Sequence, residues 1–461
     1  MQKSRPDPLG RCKDLTPSAP SKSQDLTPSA PSGELQDSMQ EGPAMGSSSE
    51  GGSVLVTEFR AVTPAVRLYS GELALDSLAT EVARLKAKRA FIVCGRSVAT
   101  RTGLVALVRD RLGPAYAGQF DRMRKDSPYP DVVEARDAAR AAGADVLLAI
   151  GGGSVMQATR VVAILLAEAG DVMKMITQYP EQGAAISPKL MAPKLPIIAI
   201  CTVGTSATHR GGSAIRNEDL DHRMEFFDPK TRPQAVFWDH RALQTAPVSL
   251  ALESGFSVYC RALVNLGTER QNPLVEGNRR QAFALADRAL PRLLAAPDDP
   301  VPRLELCAAA WLQNRDADDG GTMFDKHWVQ RVAYAFATAL FIRFPQVSQG
   351  QANAAVTSTV MRALGPRDPR ATRNMAVALC ALDPHAGADE LAQAHHLAAD
   401  AFDARALALG LPVRLSQLPV QVPRESLPLI VQDSLKNFNA DPKREFRREA
   451  GLLGEVIDAA W

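Results

Sequence analysis

The chain contains no uninterrupted apolar run of the ~18 residues that a membrane-crossing helix needs. Its N-terminus has no apolar stretch after the early basic residues, so a secretory leader is not expected either. Excess charge of either sign is missing as well. Lys plus Arg number 53 against 51 Asp plus Glu, a formal net charge of +2. A binder of phosphate backbones normally carries a clear basic excess, so nucleic acid is not an expected partner, and neither is a membrane. Cysteine is sparse and scattered: Cys12, Cys94, Cys201, Cys260, Cys307 and Cys380 leave no CxxC pair. That pattern indicates neither a zinc site nor a disulfide framework, and a reducing cytoplasm is the expected compartment.

Residues 1–52 lack Val, Ile, Phe, Tyr and Trp altogether, while Pro, Ser and Gly fill 23 of the 52 positions. Such a segment cannot bury enough apolar surface to offset its ordering entropy, so it reads as a disordered Pro/Ser-rich tail. It carries one exact repeat, DLTPSAPS at 14–21 and 25–32, too few copies for a solenoid. A later start at Met39 or Met45 is an alternative to the tail, and a docking peptide is its functional reading.

What is present begins at Val54. Over 53–246, apolar runs of strand length alternate with amphipathic stretches: AFIVC at 90–94, a weak YAGQF at 116–120, VLLAI at 146–150 and PIIAIC at 196–201. Continuous apolar runs are expected of parallel strands covered on both faces, and their alternation with helices predicts a doubly wound α/β layer. Beyond about Pro247 the strand signal ends. Helices are expected at 248–266, 278–295, 301–314, 325–343, 351–364, 368–382, 388–409, 425–437 and 444–460, so 247–461 reads as an all-helical domain. A ligand is expected in the cleft between the two.

Chemistry concentrates in two loops. In AIGGGSVMQATR, 149–160, a buried strand ends, Gly151, Gly152, Gly153 and Ser154 turn the chain, and a helix opens at Val155. Glycines let backbone N–H groups approach a phosphate, and the helix N-terminus adds partial positive charge. The loop is neither GxGxxG nor a Walker loop, and an ordinary strand–helix turn stays open as the plain alternative. In PIIAICTVGTSATH, 196–209, a second buried strand runs into Thr202, Thr205, Ser206 and Thr208, which can donate to ribose or phosphate oxygens. His209 closes that loop and is a candidate general acid or a plain turn residue.

Taken together these pieces resemble the iron-containing alcohol dehydrogenase superfamily, including its maleylacetate reductase branch. GGGSVMQATR is similar to the family's GGGSxxDxxK, and PIIAICTVGTSATH to its PxxxxPTTxGTGSE. RPQAVFWDHRALQTAP, SGFSVYCRALV, QGQANAAVTSTVMRAL and the C-terminal FNADPKREFRREAGLLGEVIDAAW follow in the family's order, from about residue 60 to the end. The resemblance implies a dehydroquinate synthase-like fold: a nucleotide-binding α/β domain followed by a helical one. It also implies a bound NADH or NADPH, hydride transfer to or from an alcohol, a carbonyl or a keto acid as small-molecule or peptide substrate, and a homodimer.

The departures carry as much information. Where the resemblance places an Asp and three His residues around a metal, this chain reads Ser257, Arg261, Ala335 and Gln349. Gln157, Arg160 and Ala207 replace the Asp, Lys and Glu of the two loop motifs. No metal is therefore expected. Arg261 becomes the candidate for stabilising a developing alkoxide or clamping a carboxylate, with Ser257 and Gln349 as hydrogen-bonding partners of the substrate. The cofactor-binding candidates are Gly95, Arg96, Ser97, Gly151, Gly152, Gly153, Ser154, Gln157, Thr202, Thr205 and Ser206. Gly95 and Arg96 follow the first nucleotide-binding strand where many family members have an acidic residue, which favours NADPH; a solvated turn arginine is the plain reading. A second functional reading is a non-catalytic assembly partner that kept the fold, or a tailoring dehydrogenase in a specialised peptide pathway of the daptide type.

Overall fold

Apolar runs without polar alternation build strands that are covered on both faces. In the computed structural model, which describes residues 54–181, 185–220, 222–268, 270–321 and 326–461, ten strands form. The expected tail and its repeat lie outside the described residues. In chain order the strands are β1 (Val54–Leu55), β2 (Arg67–Gly71), β3 (Ala90–Cys94), β4 (Tyr116–Phe120) and β5 (Val146–Gly151), then β6 (Ile197–Cys201), β7 (Gly212–Ile215), β8 (Met224–Phe227), β9 (Ala235–Asp239) and β10 (Arg270–Gln271). Six of them make one parallel sheet in the order β2-β9-β6-β5-β3-β4.

The pleat divides the sheet's side chains between two cores. Phe91, Val93, Leu147, Ala149, Ile197 and Ala199 face the layer that contains helices Tyr129–Ala141 and Gly153–Ala167. Ile92, Cys94, Leu148, Ile150, Ile198 and Ile200 face the layer that contains helices Leu78–Arg84 and Leu104–Leu112. This is the expected doubly wound α/β arrangement. Because β4 and β5 lie on opposite sides of β3, strand order reverses there, and a crevice opens beyond the carboxyl ends of β3 and β5.

From Val248 onward the chain is helical, packed around Phe256, Tyr259, Leu263, Phe336 and Phe402. The structure departs from the sequence expectation in several places. The stretch 97–111, which reads in sequence as one helix-like segment, is two helices, Arg96–Arg101 and Leu104–Leu112, because Thr102 is extended and Gly103 restarts the chain. Strands also occur where none is expected: β7 and β8 form an antiparallel hairpin, and β10 in the helical half pairs in parallel with β1. The helix expected from 278 begins at Pro273, where the Asn272 side chain accepts from the N–H groups of Leu274 and Val275.

Ser53–Trp461 packs as one compact unit, and its two halves meet at Gly204. A Cβ at Gly204 would stand 2.7 Å from the carbonyl carbon of Leu306 and 2.9 Å from the N of Cys307. The Gly204 carbonyl accepts from Ser254 Oγ at 2.7 Å, so the loop after β6 is seated directly on the helices Pro300–Asp318 and Val248–Leu266. Gly204→Ala forces backbone apart at this joint and should cost about 1–3 kcal/mol of stability. Urea unfolding of the two proteins side by side measures it; equal midpoints would mean the halves do not depend on this contact.

Candidate cofactor crevice and cationic cleft

The glycine loop sits at the strand-order reversal. Gly151 has φ +154, and a Cβ there would meet Val155 Cγ2 at 3.0 Å, so the turn into the helix needs glycine. Gly152 is the N-cap of the helix Gly153–Ala167 and no side chain caps it, which leaves that helix's first N–H groups facing the crevice. The second loop lies against the first: Cβ atoms at Gly152 and Gly153 would meet Val203 Cγ2 at 3.1 Å and Thr205 Oγ1 at 3.3 Å. Glycine is thus what lets the two loops share one cradle.

Ser154 Oγ accepts from the N of Asp126 at 2.9 Å, and its carbonyl accepts from Ser127 Oγ at 2.6 Å. Both bonds brace a loop in which Asp126 and Ser127 hold φ +65 and +52, a conformation that non-glycine residues adopt only under such support. The Ser154 hydroxyl proton remains available to a ligand. Thr205 Oγ1 accepts from Ala207 N at 3.2 Å, and its proton is likewise uncommitted. The Ser206 carbonyl accepts from Asn314 Nδ2 at 2.9 Å, and Thr202 is buried. Gln157 is drawn away from the cradle: its Oε1 accepts from Ala214 N at 2.9 Å on β7. Arg160, also buried, donates from Nε to Ser213 Oγ at 2.8 Å and from Nη1 to the Ala207 carbonyl at 2.5 Å. These two replacements in the first motif hold the hairpin and the second loop in place.

Gly95, Arg96 and Ser97 line a cleft of about 550 Å³ at the ends of β3 and β4, together with Arg122, Arg124 and Lys125. The last three are committed: Arg122 to Glu134 at 2.8 Å, Arg124 to Asp131 at 2.6 Å, and Lys125 Nζ to the Val347 carbonyl at 2.8 Å. Arg96 has no ionic partner among the described residues.

Across from the cradle, the helical half presents Ser257 and Arg261 one turn apart on the helix Val248–Leu266. Ser257 Oγ accepts from Asn353 Nδ2 at 3.3 Å. Arg261 makes only long bonds to neutral oxygens, 3.4 Å to Asn314 Oδ1 and 3.3 Å to the Gln313 carbonyl. Gln349, exposed at the first turn of the helix Gln349–Leu364, makes no hydrogen bond to either of them. Arg210, Lys326, Asn314 and Asn353 join this group, and sequence reasoning missed all four. Arg210 directly follows the second loop, and Lys326 precedes the helix N-cap His327, where a lone cation reads as solvated. Burial, then Arg210, pushes the Arg261 guanidinium down to about 10. Burial, then Arg261, Arg210 and Arg331, pushes the Lys326 ammonium down to about 8.

The donor set does not suit a divalent metal. Ser257, Arg261, Ala335 and Gln349 offer a hydroxyl, a guanidinium, a methyl group and an amide. Among the described residues, no three His, Cys, Asp or Glu side chains come together as ligands. His327 is used structurally: Nδ1 accepts from Gln330 N as the N-cap, and Nε2 bonds the Val264 carbonyl at 2.8 Å.

His209 is 5% exposed and stacks on Trp311 with ring centroids 4.6 Å apart. Its Nε2, like Nη2 of Arg160, is buried without a hydrogen-bond partner among the described residues. Burial first, then Arg232, Arg160 and Arg315 against the opposing pull of Asp318, pushes the imidazole down to about 4. The ring is therefore neutral at pH 7. The folded chain binds fewer protons than the unfolded one between the ordinary value of 6.5 and about 4, so stability falls as pH drops through that window. The loss from this group should reach about 3 kcal/mol by pH 4. His209→Phe keeps the stack on Trp311 and should flatten that part of a stability-versus-pH curve; an unchanged slope would assign the acid sensitivity elsewhere.

Comparisons with known proteins agree with this architecture. The family described as iron-containing alcohol dehydrogenase matches residues 65–240. Maleylacetate reductase 2 of Cupriavidus pinatubonensis is 26% identical over 257 residues, covering 56% of this chain and 63% of the relative. Lactaldehyde reductase of Escherichia coli is 27% identical over 244 residues, covering 52% and 61%. The matches thus span about three fifths of these relatives' own length. An archaeal halo-thermophilic alcohol dehydrogenase from a Red Sea brine pool superposes with a TM-score of 0.75 at 20% identity, over 88% of this chain and 100% of that one. The match to the iron-containing alcohol dehydrogenase family falls on the cradle-bearing sheet, and the fold shared with the solved alcohol dehydrogenase runs on through the helical half.

Proposed function

We propose that the chain is an NAD(P)-dependent oxidoreductase that moves a hydride between nicotinamide and a carbonyl or alcohol carbon, without a metal ion. The observation that carries this reading is the helix N-terminus at Gly152, uncapped by any side chain, placed at the strand-order reversal and lying against the loop that Asn314 joins to Arg261. A bound nicotinamide nucleotide would supply or accept the hydride. The N–H groups of Gly152 and Gly153 and the hydroxyls of Ser154 and Thr205 would hold its pyrophosphate. The cleft at Gly95 and Arg96 would take the adenosine end, with Arg96 as the cation for a 2′-phosphate. At the reacting carbon, Arg261 and Lys326 offset the negative charge that develops on oxygen. Lys326, near 8, carries a proton at neutral pH that it can give up, a role the neutral His209 does not fill.

Two variants test the cofactor half. Gly152→Val crowds both loops at once and should weaken NADPH binding, followed by nucleotide fluorescence, at least tenfold; unchanged affinity would remove the cradle assignment. Arg96→Ala should weaken NADPH by about tenfold and NADH little, since a charge-assisted contact to the 2′-phosphate is worth about 1.4 kcal/mol or more. Equal losses for the two nucleotides would leave Arg96 with no part in choosing between them. A chain that binds neither nucleotide would leave the assembly-partner reading in force.

A further inference from the structure

We propose that Arg210, Arg261 and Lys326 form an oxyanion site for a carboxylate carried by the substrate, so that the cleft takes an anion where the family resemblance places a divalent cation. This rests on the reading of the cleft as the place of reaction, and it adds the class of compound: organic acids whose carbonyl or hydroxyl carbon lies close to a carboxylate.

The argument is one of charge accounting within the cleft. Four neighbouring arginines are closed by a carboxylate: Arg232 by Asp318 at 2.7 Å, Arg279 by Asp316 at 2.9 Å, Arg315 by Asp319 at 2.6 Å, and Arg331 by Asp441 at 2.5 Å, while the buried Arg160 is spent on Ser213 Oγ and the Ala207 carbonyl. Arg210, Arg261 and Lys326 have no such partner among the described residues. Arg261 reaches only neutral oxygens, at 3.3 and 3.4 Å. Lys326 has one bond, 3.2 Å to the Asn439 carbonyl. Arg210 stands exposed at the end of the second ligand loop. The three come from different segments: the loop after β6, the helix Val248–Leu266, and the residue ahead of the helix Trp328–Arg343. Asn314 links Arg261 to the second loop, donating to the Ser206 carbonyl at 2.9 Å, and His327, next to Lys326, bonds the Val264 carbonyl at 2.8 Å on the helix that carries Arg261, so the three segments converge. Like charges held together and partly removed from water are costly unless an anion joins them. The planar forks of Arg261 and Arg210, with the compact ammonium of Lys326, suit a flat two-oxygen group.

Isothermal titration of the full chain with malonate, without nucleotide, tests the proposal, with inorganic phosphate as the second probe. Saturable malonate binding at millimolar concentration or tighter is expected, weakened at least tenfold in both Arg261→Met and Arg210→Met. The thermal midpoint of Arg261→Met should stay level or rise, because Arg210 repels the lost cation more strongly than Asp316, already paired with Arg279, attracts it; a purely structural arginine would lower it. Malonate binding that is unchanged in Arg210→Met, whose exposed side chain bears no fold, would overturn the proposal. So would phosphate saturating the chain where malonate does not, or one firmly held Zn(II) per chain after metal loading and gel filtration. Nucleotide titration is read separately, so a failure to bind NADPH and a failure to bind malonate are told apart.

Discussion

Arg160 holds the candidate site together. It lies on the helix that begins at the glycine loop, yet its guanidinium is spent on the second loop and the hairpin, through the Ala207 carbonyl and Ser213. A buried arginine without a carboxylate is costly, and here burial together with Arg210 and Arg232 pushes it down to about 9. What the chain obtains is position. With Ala207 tied down, Val203 and Thr205 stay against Gly152 and Gly153, and His209 is held buried against Trp311. Gly204 completes the arrangement by pressing the same loop onto Leu306 and Cys307.

That geometry sets the electrostatics. The helical half sets the guanidinium of Arg261 and the ammonium of Lys326 beside closed ion pairs such as Arg279 with Asp316 and Arg331 with Asp441. Positive potential at the reacting carbon is useful to hydride chemistry however it is supplied, because the charge that develops on oxygen is negative. The two arrangements differ in what they admit: a metal coordinates any alcohol oxygen, whereas fixed cations reward a ligand that brings its own negative charge.

The sheet was readable because doubly covered parallel strands appear as plain apolar runs, such as Val146–Gly151 and Ile197–Cys201. The hairpin was not: Gly212–Ile215 and Met224–Phe227 are short and carry weak alternation. The start of helix Pro273–Ala295 was legible in principle, since Asn272-Pro273 is a strong cap signal. The glycine loop was found from its residues alone. Arg210 and Lys326 were not, because a single cation carries no sequence mark that separates a buried cleft from a solvated turn. Gln157 was assigned to the cofactor from its place in the motif, while in the fold its carbonyl is engaged by Ala214 N.

The short pairing of Val54–Leu55 with Arg270–Gln271 joins segments separated by roughly two hundred residues of chain. Closing so long a loop costs entropy that only formed structure on both sides can repay. The arm ahead of β2 therefore has no docking partner until the first long helix of the second half has been made and placed. In a chain emerging from the ribosome the six-stranded sheet can assemble first, with β2 already paired to β9, while the arm ahead of it waits for β10, which makes this two-residue ladder a late marker of completed folding.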